Sequence, residues 1–248
     1  MEDYVDQYFS AVIDQLHQLS NQSGPAIRQA AEAVANAIRE DGLFLLYGSG
    51  HSTLIAKDAA YRAGGLAPAL LIEDAAEGDA EKLEGLAQYI IARYDLRPPS
   101  VLAIISNSGI NPVPIEMAML AKSAGVTVIG ITSLAHSKGV PSRHSSGKKL
   151  YELVDIVIDT HSALGDAAVQ LPHSALKSGA TSTIMGSAIL QAITVQAASL
   201  LSAPAQRPPI WVSSNLPGGE AQNAELIDRY QSRLVRYQMA GRPRSIHK

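Results

Sequence analysis

The chain of 248 residues contains no cysteine, so it can form neither a disulfide bond nor a thiolate metal site. Aromatic residues are scarce at 5%, whereas alanine, isoleucine, leucine and valine are abundant, which favours helices packed on a buried sheet. No uninterrupted apolar run approaches the roughly 18 residues that cross a bilayer, and the acidic first ten residues are unlike a signal peptide. We therefore expect a cytoplasmic protein without a membrane partner.

Basic clusters are also lacking. The net charge is −3, and no lysine or arginine group exceeds the short C-terminal tail, so a nucleic-acid partner is not expected. The 46% of apolar and 17% of charged residues are typical of a folded domain. We predict one domain over 1–248, with a helical hairpin over 1–41, an α/β core over 42–203 and a C-terminal extension over 204–248.

The N-terminal apolar residues recur at helical spacing. They predict an amphipathic helix from Tyr4 to Leu19, a break over 21–25 with Ser23 as a cap, and a second helix from Pro25 to about position 41. The two helices are expected to form a hairpin in front of the sheet. Its apolar stripe needs a cover, which another subunit could supply.

Apolar runs alternate with helical patterns in the rest of the chain. Four runs predict buried strands and a fifth run is weaker: 43–47, 101–105, 126–131 and 154–158, then 67–72. Helices are predicted at about 52–62, 80–94 and 112–124, an apolar helix from 179 to 201, a linker over 204–209, a short extended piece over 210–212 and an amphipathic helix over 222–239. This order predicts an α/β fold, a three-layer α-β-α doubly wound sheet of about five parallel strands.

Two polar loops follow predicted strands, and ligands gather at the carboxyl ends of strands in such sheets. The first loop is Gly48-Ser49-Gly50-His51-Ser52 and the second loop spans 106–112. The second loop offers Ser106, Ser108 and Asn111 as donors, and the helix that follows favours a phosphate at its N-terminus. A serine-rich turn that only caps a helix would give the same pattern.

The first loop alone is partly like a dinucleotide fingerprint. The third glycine of that motif would fall at position 53, which is Thr53, so a nicotinamide site is disfavoured. Two loops rich in glycine and serine at successive sheet positions fit one phosphorylated ligand better.

Together the two loops resemble the SIS (sugar isomerase) domain, and within it the uncharacterised family labelled phosphosugar or phosphoheptose isomerases. Four further stretches carry the resemblance: 61–68, 112–118, 142–148 and 179–183. The resemblance implies a flavodoxin-like SIS fold, a small sugar phosphate as ligand, and a homodimer or homotetramer with shared sites. It also implies that phosphate and sugar are bound by Ser49, Gly50, Ser52, Ser106, Asn107, Ser108, Gly109, Asn111, Thr181 and Ser182.

Histidines and carboxylates near these loops are the candidates for proton transfer. An imidazole is a common general acid and base, so His51 could open a sugar ring, although a loop histidine that only binds backbone fits the sequence as well. The base is expected to be Asp58 or Glu73, with Glu77 as a further candidate. Asp58 is shorter than the glutamates of close relatives, and a solvent-facing position is its alternative. Other side chains that could approach the site, or serve the structure instead, are Glu116, His144, His161 and His173.

No cofactor and no metal are expected. Heptose isomerases carry a histidine one helical turn before the acid, and here the two positions are Leu54 and Asp58, which breaks the zinc-binding pair. The predicted function is an aldose–ketose isomerase that converts a sugar or amino sugar phosphate through an enediol. The alternatives are a non-catalytic sugar-phosphate sensor and a sugar-phosphate lyase or etherase.

Overall fold

A five-stranded parallel sheet forms the centre of the protein. The computed structural model describes residues 3–76, 78–204 and 207–238. The strands stand in the order β2-β1-β3-β4-β5. They are β1 (Phe44–Gly48), β2 (Ala69–Leu71), β3 (Val101–Ile105), β4 (Thr127–Thr132) and β5 (Ile156–Asp159). All pairs are parallel, so the predicted doubly wound sheet is confirmed, with strand bounds within about two residues of the apolar runs.

Helices cover both faces of this sheet. They are α1 (Tyr4–Gln18), α2 (Gly24–Arg39), α3 (Ser52–Ala60), α4 (Leu86–Ile91), α5 (Pro112–Ser123), α6 (Leu134–Gly139), α7 (Ser182–Leu201) and α8 (Gly219–Gln238). Phe44 and Leu46 of β1 pack among α2, α3 and α7, whereas Leu45 and Tyr47 pack among α4 and α5. Alternate residues of one strand thus enter two separate cores, which is why the strands read as continuous apolar runs.

The predicted helical hairpin is wrong. α1 and α2 are joined by a π-helical turn, Leu19–Ser23, and the helix continues through the expected break. Pro25 cannot donate to the carbonyl four residues before it, and the wider π turn avoids that conflict. Ser23 stands at the predicted N-cap position of α2, but its side chain caps no amide there, because its hydroxyl donates to the carbonyl of Asp159 at 2.9 Å.

The apolar helix α7 lies against α2 and α3. By length and composition it is the one helix among the described residues that could cross a membrane. One side of the helix is buried, however, through Met185, Ile189 and Ile193. α7 therefore contributes one side to the core that it shares with α2 and α3.

Two further segments differ from their predictions. The helix expected over 80–94 is shortened to α4, because Gly78 and Gly85 adopt left-handed backbone angles and residues 78–85 form turns. Gly179 does not begin the apolar helix. It lies in a hairpin of two strands, β6 (Ala167–Gln170) and β7 (Lys177–Ala180), which packs on α1.

The C-terminal extension returns to the sheet. Ile210 forms an antiparallel bridge with Leu66, and Trp211 N donates to the carbonyl of Gly65 at 2.9 Å, which agrees with the predicted extended piece. α8 begins three residues before the predicted helix, and the predicted end at Met239 lies outside the described residues. The assignment of 1–248 to one domain stays a prediction.

Candidate functional site

The carboxyl ends of β1 and β3 meet where the strand order reverses. The two strands are hydrogen-bonded neighbours, although β2 lies between them along the chain. Ser49 N donates to the carbonyl of Ile105 at 3.0 Å, which ties the first loop to the end of β3. The first and second loops therefore lie side by side at the switch point of the sheet.

A carboxylate that sequence reasoning missed connects the two loops. The hydroxyl of Ser49 donates to one carboxylate oxygen of Glu81, and Asn111 Nδ2 donates to the other at 2.6 Å. Arg143 Nη1 donates to Asn111 Oδ1 at 2.9 Å, so the amide that binds Glu81 is itself hydrogen-bonded to a guanidinium. Donors from both loops thus converge on one anion. No motif marks Glu81, whereas Arg143 lies in a stretch that carries the family resemblance.

A cleft of about 870 Å³ opens beside the first loop. Gly50 and His51 line it together with α3, and the stretch after β2 lines the opposite side. The predicted catalytic residues His51 and Glu73 therefore share this cleft. Carboxylates outnumber the lysines among its lining residues, which include Lys57, Lys82, Glu73, Asp74, Asp79 and Glu81.

The structure does not bring Asp58 to the lining of this cleft. Its carboxylate accepts from Arg62 at 2.6 Å, and nearly half of each side chain is exposed. Leu54 and Lys57 of α3 line the cleft, and Asp58 follows Leu54 by one helical turn without being among the lining residues. Its role as a base stays a prediction.

The second loop is tightly built into the protein. The buried Ser106 accepts from Gly109 N at 3.3 Å, and Asn107 Oδ1 accepts from the hydroxyl of Thr160 at 3.2 Å. Gly109 has φ 61°, and a Cβ there would lie 2.7 Å from Oγ1 of Thr132. Ser108 is half-buried. The loop is therefore a rigid turn that requires its glycine.

Two other groups of predicted ligand residues are held by the protein itself. Ser52 is buried at the start of α3, and its amide donates to the carbonyl of Ser49 at 3.1 Å. Thr181 N and Ser182 N donate to Oδ1 of Asp166 at 3.2 and 2.8 Å. The start of α7 is thus capped by a carboxylate of the chain.

The histidine after β4 and the glutamate of α5 meet beside the second loop. His144 Nε2 lies 3.7 Å from Oε1 of Glu116, and the same oxygen accepts from Gly85 N at 2.6 Å. These contacts join the 142–148 stretch to the turns before α4. Glu77 lies outside the described residues.

The histidine after β5 fastens the N-terminal helices to the sheet. His161 Nε2 lies 3.0 Å from the hydroxyl of Ser23, and Nδ1 lies 3.5 Å from Asp159. His173 is exposed in the turn between β6 and β7. Neither histidine lines the cleft.

Within residues 3–76, 78–204 and 207–238, no three histidine or acidic side chains are grouped to hold a metal ion. The expected absence of a metal stays a prediction.

The pKa values of two tyrosine hydroxyls near the cleft are raised by their surroundings. Burial raises the pKa of the Tyr47 hydroxyl, and the negative charges of Asp74 and Glu81 raise it further. Burial also raises the pKa of Tyr61, where the charge of Glu73 adds to the effect. The fully buried hydroxyl of Tyr47 has no hydrogen-bond partner within the described part of the chain.

Comparisons with known proteins agree with this architecture. A family model for the SIS domain matches residues 7–133. The chain is similar to a UPF0309 protein of Geobacillus thermodenitrificans, with 38% identity over 93% of this chain and 96% of that protein. Its fold is similar to that of a phosphoheptose isomerase from Francisella tularensis, with TM-score 0.57, 19% identity and coverage of 79% and 96% of the two chains. It is also similar to the NanR protein of Vibrio vulnificus in complex with ManNAc-6P, with TM-score 0.51, 19% identity and coverage of 94% and 70%.

Proposed function

The chain belongs to the SIS domain family, and on that premise we propose that it binds a sugar phosphate at the switch point and isomerises it between aldose and ketose. The observation that carries this proposal is the convergence of Ser49 and Asn111, from two different loops, on one anionic group. A site that holds a carboxylate with two neutral donors has the chemistry to hold a phosphate oxygen.

The phosphate would be bound mainly by uncharged donors. The proposed set is Ser49, Ser52, Ser106, Ser108 and Asn111, with the backbone amides of Gly50, Asn107 and Gly109. Arg143 adds a positive charge through its bond to Asn111, and the N-terminus of α5 lies directly after that residue. Because the amides of Thr181 and Ser182 donate to Asp166, their predicted contact with sugar would require that carboxylate to move.

The sugar would extend into the cleft that His51 and Glu73 both line. We propose that His51 gives a proton to the ring oxygen and takes the proton of the anomeric hydroxyl, so that the bond between the anomeric carbon and the ring oxygen breaks and the ring opens. Glu73 would then take the proton from the carbon beside the carbonyl while His51 gives a proton to the carbonyl oxygen, which leaves an enediol. His51 would next take the proton of the other enediol hydroxyl as Glu73 returns its proton to the adjacent carbon. Substrate and product are isomers, so no oxidant or cofactor enters. Glu73 is preferred to Asp58 because it lines the cleft.

A panel of aldose, ketose and amino sugar phosphates tests this function. At a ligand concentration 100 times Kd, binding stabilises a protein by about 2.7 kcal/mol. For a chain of this length that corresponds to a Tm increase of about 5–10 °C. We expect Ser49→Ala and Asn111→Ala to lose the increase. His51→Ala and Glu73→Gln should keep it and lose turnover, while Asp58→Asn keeps both. If no phosphosugar raises Tm, the proposal is wrong.

A non-catalytic sensor is the second candidate, since the Vibrio NanR protein, described in complex with ManNAc-6P, matches 94% of this chain. A sensor would show the Tm increase without turnover in any variant. A lyase or etherase would release a second product instead of an isomer, which mass spectrometry of the reaction distinguishes.

We further propose a cytoplasmic homodimer or homotetramer with shared sites. Four apolar side chains of α1 are exposed at helical spacing, namely Val5, Phe9, Ile13 and Leu16. Such a stripe on a soluble helix favours burial against another subunit. Light scattering after size exclusion should give a multiple of 26.2 kDa, and Phe9→Glu should reduce it to one chain. A monomeric wild-type protein would contradict this.

A further inference from the structure

Glu81 occupies the position that the two loops define for an anion. Its two carboxylate oxygens accept from the hydroxyl of Ser49 and from Nδ2 of Asn111. The proposed function assigns both donors to a phosphate. Because one set of donors cannot hold a carboxylate and a phosphate at the same time, Glu81 and a phosphate would compete for this position.

The backbone around Glu81 closes over both loops. We call residues 78–85 the cover segment. The carbonyl of Glu81 accepts from Val113 N at 3.1 Å, which fastens the segment to the start of α5. At its other end Gly78 touches the first loop so closely that a Cβ would lie 2.5 Å from N and Cα of Gly50. The backbone of the segment therefore contacts the first loop and the first turn of α5, directly after the second loop.

The cover segment has the features of a part that opens locally. It forms turns without a strand or a complete helix, and the side chains of Lys82, Leu83 and Glu84 are exposed. Glycines with left-handed backbone angles stand at both ends, Gly78 with φ 88° and Gly85 with φ 85°. Few buried apolar contacts and exposed turns are typical of segments that open at low cost in free energy.

We propose that Glu81 is an internal competitor that keeps the anion position closed until a phosphate monoester replaces its carboxylate and the cover segment moves away. This inference rests on the proposed function and adds a determinant of specificity. A neutral sugar cannot replace the two hydrogen bonds of a carboxylate, whereas a phosphate with more charge and more acceptor oxygens can. The site would thus select ligands first by their phosphate and only then by contacts with the sugar.

The size of the effect follows from the closed fraction. The apparent Kd of a ligand equals its intrinsic Kd divided by the fraction of protein that is open. If the position is open in about a tenth of the molecules, removal of the competitor tightens binding about tenfold. Glu81→Ala removes the carboxylate altogether. Glu81→Gln removes its charge and keeps its length, so a smaller gain is expected.

Binding of fructose 6-phosphate and inorganic phosphate to the full chain, measured by calorimetry, tests the proposal. We expect Glu81→Ala to bind about tenfold more tightly than the wild type. Glu84→Gln is the matched control, because it lies in the same segment, loses the same charge and binds Ser145 outside the cleft. Equal or weaker binding by Glu81→Ala and Glu81→Gln would overturn the inference.

Hydrogen exchange without ligand separates this inference from the proposed function. Loss of the carboxylate should speed amide exchange in residues 78–85 about tenfold in Glu81→Ala and leave it unchanged in Glu84→Gln. Unchanged exchange in Glu81→Ala would overturn the internal competitor even if the protein binds phosphosugars. If exchange rises but no phosphosugar in the panel binds any variant, the proposed function is wrong instead, while the closing contact stands.

Discussion

Gly48→Ala probes the close approach between the end of β1 and the start of α3. A Cβ at this position would lie 2.1 Å from the carbonyl oxygen of Ser52 and 2.5 Å from Thr53 N. Both are backbone atoms, so no side-chain rotation relieves the collision. The first turn of α3 would have to move outward by more than an ångström before the contact reached 3.4 Å, the lower limit of ordinary van der Waals contact.

The cost of this movement can be worked out from known overpacking effects. An extra methyl in a well-packed region costs typically about 1–3 kcal/mol, and rigid backbone neighbours favour the upper end. The hydroxyl of Thr53 would also move away from the Gly48 carbonyl, which it now reaches at 2.8 Å. We expect a loss of about 3 kcal/mol in the free energy of unfolding. For a chain of this length Tm should fall by about 6–12 °C.

Urea denaturation followed by circular dichroism measures this loss of unfolding free energy. A thermal-shift assay with phosphosugar measures whether the variant still binds ligand. Gly139→Ala is the matched control, because its Cβ would meet only Leu164 Cδ1 at an ordinary 3.7 Å. We expect the control to change stability by no more than about 0.5 kcal/mol. If Gly48→Ala loses less than about 1 kcal/mol, the overpacking reasoning is refuted.

Substitutions at three other positions address single side-chain groups. Tyr47→Phe removes a buried hydroxyl without a partner, so stability at pH 7 should stay equal or rise by up to about 1 kcal/mol. Because the pKa of Tyr47 is raised in the folded state, the free energy of unfolding should fall as pH rises above about 10. The fall should be less steep in Tyr47→Phe. Equal slopes of unfolding free energy against pH, measured by urea denaturation of both proteins, would contradict this. Asp166→Ala should cost about 1–2 kcal/mol through the lost cap of α7, with Asp166→Asn closer to wild type in thermal denaturation. Tyr8→Phe should cost about 1 kcal/mol by losing its 2.8 Å bond to the carbonyl of Ala180, and an unchanged urea midpoint would refute it.

The sheet was predictable because its signals are local. Residues 101–105 are buried on both sides of the strand, and only a run of apolar side chains satisfies that environment. The two loops were predictable for the same reason, since glycine and serine directly after such runs indicate turns at the carboxyl edge. β6 and β7 were missed because most of their side chains are partly or fully exposed and Gly179 shows no strand pattern.

The errors in the helices have tertiary causes. The apolar spacing of Ala87, Ile90 and Ile91 suggested a longer helix, but the turns before α4 follow the contacts of Glu81 and Gly78 with the loops. Pro25 suggested a break, and the helix nevertheless continues because a π turn accommodates the proline and the Ser23 hydroxyl binds the end of β5.

By itself the sequence determined the parallel sheet, the alternation of its strands with helices along the chain, and two polar loops at one edge. Those features depend on the burial and turn preference of neighbouring residues, which a local pattern records. The tertiary structure decided which carboxylates reach the loops. Glu81 meets Ser49 and Asn111 across 32 and 30 residues of chain, whereas Asp58 binds Arg62 one helical turn away. A contact across such a distance depends on how whole elements pack, because packing orients each helix face and each turn, and no pattern around position 81 encodes it.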